Sequence, residues 1–285
     1  MNYRHGFHAG NFADVLKHVA WLELLRLMTA KDKALLVLDT HAGRGGYDLG
    51  GEQAARTGEW QDGIGRLLEA PAVPAVVRRY VEAVRAYDRK FGRHAGTLRH
   101  YPGSPRITRP LLRAGDRCVL CEAHATEAAL LKREFAGDKA IELRAADGYA
   151  VLKALLPPPE RRGLVLIDPP FEKTDEFERA ARALAQALKR FATGVYALWY
   201  PLKDAASVAA LRSAVAGLAP RALDIELALA WPLPPDGLQA CGMIVVNPPW
   251  TFDETLQPAV SWLAQALGRD PSAQGTLRWL AGAPS

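Results

Sequence analysis

The chain has 285 residues, of which 49% are hydrophobic and 24% charged; that is enough apolar material for one large domain or two small ones and too much for a disordered chain. No apolar run approaches the roughly 18–20 residues of a bilayer-spanning helix, and the first residues lack the apolar core of a secretory signal. Three cysteines, an odd number in so long a chain, speak against a disulfide framework and for a reducing cytoplasm, while a net charge of +5 and a pI near 9.1 suit a polyanionic partner.

Asn11 is a good helix N-cap with Asp14 in the first turn behind it, and Val15, Leu16, Val19, Leu22, Leu25 and Met28 follow at helical spacing. Residues 34–40, "ALLVLDT", form a short apolar run that ends on Asp39 and enters a glycine turn, the pattern of a buried parallel strand. From about Tyr47 to Gly103 there is no good strand, and "GIGRLLEA" with "PAVVRRYVEAVRAYDRKFG" predicts a small helical insertion. Between Arg78 and Arg113 stand ten Lys or Arg against Glu82 and Asp88 alone, about +8 in all. That run is either a solvated helix face or a surface that neutralises phosphates.

Strands then follow at 116–122, 140–148, 162–170 and 194–201, with helical segments in the gaps, the alternation of an open parallel α/β sheet. The last two strands, 222–232 and 241–250, are joined by the turn-rich "PLPPDGLQA" and not by a helix. They predict an antiparallel hairpin at one edge of a seven-stranded sheet.

Acids end three successive strands: Asp39 before the glycine turn, Glu122, and Asp147 with Gly148 after it. Ligands of open α/β sheets bind at the carboxyl ends of strands. There Glu122 suits a pair of ribose hydroxyls and Asp147 an adenine amino group. Singly, each acid is better explained as a helix cap than as a ligand. Together they predict a cofactor site without choosing between a dinucleotide and S-adenosylmethionine, although the turn at 39–46 lacks a clean G-x-G-x-x-G.

The fourth strand discriminates, because it runs into Asp168-Pro169-Pro170-Phe171. The Asp168 carboxylate and the Pro169 carbonyl are adjacent acceptors for the hydrogens of an exocyclic amine. Held there, the weakly nucleophilic nitrogen of adenine can turn its lone pair toward a sulfonium methyl. The prolines stiffen the loop, and Phe171 offers a face on which an extruded base can stack. A near copy, Asn247-Pro248-Pro249-Trp250, follows the seventh strand, which the hairpin makes antiparallel to the first four. Its carboxyl end lies at the far edge of the sheet, so it reads as a structural turn with a buried Trp. Cys118 and Cys121 match a C-x-x-C spacing, but residues three apart on a strand face opposite sides and no second pair completes a metal site. No metal is expected.

The stretches "YRHGFHAGNFADVLKH", "LDTHAG", "RTGEW", "YPGSP", "RRGLVLIDPPF", "RFATGVYALWYP" and "CGMIVVNPPW" together resemble the bacterial RlmJ (YhiR) family, adenine-N6 methyltransferases of 23S ribosomal RNA, in register from Tyr3 to about Trp250. The resemblance implies an α/β, Rossmann-like class I S-adenosylmethionine-dependent methyltransferase fold. Residues 1–46 and 104–285 would form it, 1–10 as a flexible tail, with the helical insertion over 47–103. The resemblance also implies roles: His18 at the amino-acid end of S-adenosylmethionine with Lys17 beside it, and His41, Ser104, Glu122, Asp147 and Gly148 as further cofactor contacts. Asp168 would be the catalytic acceptor, and Tyr3 would touch the RNA. Two departures stand out, Phe171 where the family usually has Tyr, and Arg44, a large group to find beside a cofactor.

The expectation is therefore a monomeric cytoplasmic enzyme that methylates N6 of an adenine extruded from a loop or hairpin of 23S rRNA. A DNA adenine methyltransferase, a non-catalytic RNA-binding module with a relic pocket, and an NAD-dependent enzyme are the alternatives.

Overall fold

The computed structural model describes residues 5–92, 97–233 and 237–283. Ten strands are present among them: β1 (Leu36–Asp39), β2 (Gly46–Asp48), β3 (His100–Pro102), β4 (Arg117–Cys121), β5 (Ile141–Arg144), β6 (Gly163–Ile167), β7 (Val195–Pro201), β8 (Ala222–Ala228), β9 (Ala240–Val246) and β10 (Gln274–Ala281). Eight of them form one sheet in the order β5-β4-β1-β6-β7-β9-β8-β10. The first five in that order run parallel, β9 is antiparallel to both β7 and β8, and β10 is antiparallel to β8.

β1 and β6 are buried at every position because helices cover both faces of the sheet, which is why they read as unbroken apolar runs. Their side chains alternate between two cores: Val37 and Leu164 point to one, Leu36, Leu38 and Val165 to the other. Helices Gly148–Leu155, Glu176–Arg190 and Ala205–Leu218 cover the second face. The first is covered by the N-terminal helix Phe12–Thr29, by Phe252–Leu267 and by Ala75–Asp88.

The sheet differs from expectation in having eight strands, not seven. The additional strand, β10, alternates exposed and half-buried residues at the rim, and places Arg278 against the buried Asp224 of β8 at 2.9 Å. The β8–β9 hairpin is consequently not the edge, since β10 lies outside it. A second correction concerns 47–103. The two ends of this stretch pair as the ribbon β2–β3, with Gly46 opposite Pro102, where no strand was expected.

The helix Ala75–Asp88 packs its apolar face, including Val77, Tyr80 and Val84, into the same core as the N-terminal helix. The insertion's approach to the chain's start is close: the Ile64 amide donates to the Gly10 carbonyl at 2.8 Å, and a Cβ on Gly63 would lie 2.0 Å from that oxygen. Residues 5–10, expected within a flexible tail, are held in place. His5 Nε2 lies 2.8 Å from Asp14 and His8 Nδ1 lies 3.0 Å from Glu59. Among the described residues, no helix is long and apolar enough to cross a membrane.

Candidate active site

A cavity of about 610 Å³ opens at the carboxyl ends of the parallel strands, within the range usual for small-molecule sites. It lies where the order of the sheet reverses, β1 being flanked by β4 on one side and β6 on the other. Its lining includes His18, His41, Ser104, Glu122, Asp168 and Phe171, so six predicted site residues from five separate segments converge there.

The turn after β1 forms one wall. Gly43 sits at φ +60°, a conformation that favours glycine, and donates its amide to Glu122 Oε2 at 2.9 Å. Glu122 Oε1 accepts from the His124 amide at 2.7 Å, and burial lifts its carboxyl above the ordinary range. Beneath this turn Asp39 accepts from the Ser104 hydroxyl at 2.6 Å and from the His41 amide at 3.1 Å. Its burial pushes its pKa up to about 7. Arg44 is directed away, making a two-pronged ion pair with Glu127.

The N-terminal helix supplies the opposite wall. Asp14, Lys17 and His18 fall at i, i+3 and i+4, on one face of a helix that is buried through Leu25. Lys17 Nζ lies 2.8 Å from Asp14 Oδ1 and 2.7 Å from Asp168 Oδ2. Burial alone would lower the ammonium pKa, but the two carboxylates outweigh it and hold it well above the ordinary lysine range. His18 Nδ1 is 2.8 Å from the Tyr101 hydroxyl, itself 2.8 Å from that of Tyr80. Burial pushes His18 down to about 3 and His41 down to about 4, so near neutral pH both rings are uncharged hydrogen-bonding groups.

Asp168 follows β6 directly and is half-buried. Phe171 has φ +48°, a strained region for an aromatic residue, and lies edge-on to Trp199 with ring centres 5.8 Å apart. Asp147 and Gly148 do not line the cavity. Asp147 is exposed and accepts from the Tyr149 amide at 2.9 Å, capping its helix, and Gly148 lies so close to β1 that a Cβ would meet the Thr40 carbonyl at 2.0 Å. Tyr3 lies outside the described residues.

The second proline motif ends β9, at the amino-terminal end of β7 and away from the cavity. Asn247, at φ +53°, donates to the carbonyls of Ala192 and Gly194 at 2.8 Å each, which gives this turn a structural function. Trp250 corrects the expectation of a buried ring, being 75% exposed. Cys118 and Cys121 are buried in opposite cores, and among the described residues no group of three or more His, Cys, Asp or Glu is placed to hold a metal. Much of the basic run 78–113 already faces carboxylates: Arg79 pairs with Glu23, Arg99 with Asp48, Arg106 with Glu134, Arg109 with Asp138 and Arg113 with Asp116.

Residues 32–281 match the family described as ribosomal RNA large subunit methyltransferase D, RlmJ. The chain belongs to the RlmJ family. A ribosomal RNA large subunit methyltransferase J from Escherichia coli is 42% identical over 281 residues, 98% of this chain and 99% of that one. Its counterpart from Haemophilus influenzae is 38% identical over the same shares. A crystal structure of a Legionella pneumophila protein superposes with a TM-score of 0.87 at 35% identity, covering 95% of this chain and 98% of the other. RlmJ membership and the strand order together make the fold a Rossmann-like class I methyltransferase sheet extended by β10.

Residue patterns alone missed the bond from Lys17 to Asp168, which spans 151 positions. The available signal was the set of polar residues at i, i+3 and i+4 inside an otherwise buried helix, which marks Lys17 as needing a partner but does not name Asp168.

Proposed function

We propose that this chain transfers a methyl group from S-adenosylmethionine to N6 of an adenine in 23S rRNA, acting in the bacterial cytoplasm as a monomer. The observation that carries the reading is Asp168-Pro169-Pro170-Phe171 at the reversal point of the sheet, in one cavity with Glu122 and the Gly43 turn. The family's printed description as a methyltransferase of large-subunit rRNA supports the same reading.

The residues present suit the cofactor. Glu122 is a buried carboxylate whose oxygens each take one backbone amide and retain a lone pair for ribose hydroxyls. Asp14 and Lys17 put both signs of charge in one wall, as the zwitterionic amino-acid end requires, with neutral His18, His41 and Ser104 as hydrogen-bonding groups around it. Asp147 and Gly148 stand just outside, where Asp147 would serve the adenine amino group beyond the helix cap. When bound, S-adenosylmethionine supplies an electrophilic methyl on its sulfonium.

Lys17 holds Asp168 Oδ2, and Oδ1 has no partner among the described residues. Oδ1 and the Pro169 carbonyl take the two amine hydrogens of the target base, which favours a tetrahedral nitrogen with its lone pair aimed at the methyl. On transfer, the N–C bond formed would replace the sulfonium's S–C bond, whose electron pair would stay on sulfur as a neutral thioether, and the nitrogen would release one proton to Asp168 or to solvent. Phe171 stacks on the extruded ring, with Trp199 behind it fixing its plane. Tyr3 would contact the RNA from the chain's start. The test is labelled-methyl transfer to deproteinised large-subunit rRNA and to duplex DNA. Transfer to rRNA, its loss in Asp168→Ala, and S-adenosylmethionine affinity within a few-fold of wild type are expected. Transfer to DNA alone would sink the reading.

A further inference from the structure

The cavity continues past Asp168 on the side away from Glu122. Beyond β6 the sheet continues through β7, β9, β8 and β10; β7 supplies Trp199, and the connections at that end supply Lys203, Leu229, Leu238 and Arg269, to the same lining. The Lys and Arg residues of the lining are Lys17, Lys203 and Arg269. Lys17 is held between two carboxylates, but among the described residues neither Lys203 nor Arg269 has an ion-pair partner. The acids next to them in sequence are otherwise engaged. Asp204 caps the helix Ala205–Leu218 through the amides of Ala206 and Ser207, and Asp270 accepts from the Ser272 amide. Both cations are exposed at the cavity's mouth.

The backbone beneath them is tied down. The Arg269 amide donates to the Leu229 carbonyl at 2.8 Å, and the Trp231 amide donates to the Ser272 hydroxyl at 2.7 Å. The loop after Phe252–Leu267 and the end of β8 are thus joined into one platform. It carries Arg269 and the indole of Trp231, which is 52% exposed. Unpaired cations beside an exposed aromatic, next to a pocket that takes an extruded base, are the combination that holds a nucleic-acid strand through phosphates and stacking.

We propose that Lys203 and Arg269 bind the phosphates flanking the extruded adenosine, and that Trp231 stacks on a neighbouring base of the same RNA strand. The RNA then crosses the β7–β10 side of the cavity mouth, and the paired arginines of 78–113 are not its main anchor. This inference rests on the proposed function, so wild-type transfer to rRNA is established first; its absence overturns that reading and not merely this surface.

The experiment compares wild type with the double variant Lys203→Ala/Arg269→Ala for KM and kcat on deproteinised large-subunit rRNA, and for rRNA binding across a salt series. Two lost phosphate contacts to single-stranded RNA should flatten log K against log[salt] by about 1.4. KM at moderate salt should rise roughly tenfold with kcat at saturating RNA within about twofold, which corresponds to lost binding shared by ground and transition states. S-adenosylmethionine affinity, read by calorimetry, reports that the variant is folded. The charge-keeping pair Lys203→Arg/Arg269→Lys should restore the salt slope, and Trp231→Ala should weaken binding about 5- to 160-fold without changing that slope. A folded Lys203→Ala/Arg269→Ala variant with the wild-type slope and KM overturns the proposal.

Discussion

Asp39→Asn should stabilise the protein, and by an amount that depends on pH in a predictable way. Asp39 ends β1 under the glycine turn, is 1% exposed, and has its pKa raised from 3.8 to about 7 mainly by burial. Below about pH 4 the group is protonated in folded and unfolded chains alike, and its ionisation has no effect on stability. Between about pH 4 and pH 7 the unfolded chain ionises while the folded one keeps its proton, so unfolding becomes progressively easier. Above about pH 7 both forms are ionised and the loss levels off. At 1.36 kcal/mol per pH unit the full effect is roughly 4 kcal/mol. Asn keeps the acceptor for the His41 amide and can donate from Nδ2 to the Ser104 hydroxyl, so both existing contacts have replacements. The melting temperature of the variant, followed by circular dichroism from about pH 4 to pH 9, should match wild type at the acid end. It should then exceed wild type by about 8–12 °C at the alkaline plateau, at roughly 2–3 °C per kcal/mol. A difference that is constant across pH, or that shrinks as pH rises, would refute burial of an ionisable Asp39 as its cause.

Lys17→Met removes the cation shared by Asp14 and Asp168, and should lower stability by about 3–5 kcal/mol near pH 7. Against the opposing effect of burial, His5 and then Lys17 hold Asp14 well below the usual carboxylate range, so the share of stabilisation that Lys17 supplies is full above about pH 4 and is lost as pH falls below it. The variant's deficit should therefore narrow toward about pH 3 in thermal melts, and a deficit independent of pH would count against the ion pair. Asn247→Ala removes two bonds to the carbonyls of Ala192 and Gly194 and places Ala at φ +53°. Chemical denaturation should show a loss of about 2–4 kcal/mol, with methyl transfer per folded molecule unchanged. Reduced turnover in folded Asn247→Ala would mean that the second proline motif is not merely a turn.

What could be read from the residues depended on how local the physics was. The parallel strands were legible because burial on both faces demands continuous apolar runs, which β1 and β6 supply. β10 was not, since an edge strand covered on one side needs only a weak alternation, and its Arg278 finds Asp224 across the sheet rather than along the chain. The same division runs through the site. That Glu122 and Asp168 would line the crevice was legible because each ends a parallel strand, whereas Asp39, which also ends one, lies buried beneath the turn and outside the lining. The contact between Lys17 and Asp168 was not, because it forms only once the N-terminal helix is laid over the end of β6. Charge counting failed for a related reason. The run 78–113 looks far more cationic while its partners, Glu23, Asp48, Glu134, Asp138 and Asp116, are left in their own segments. Folding neutralises much of the dense run, yet leaves two isolated cations, Lys203 and Arg269, beside the cavity without carboxylates of their own. For recognition of a polyanion, the informative quantity is therefore the charge left unpaired next to the site, and that is a property of the tertiary structure.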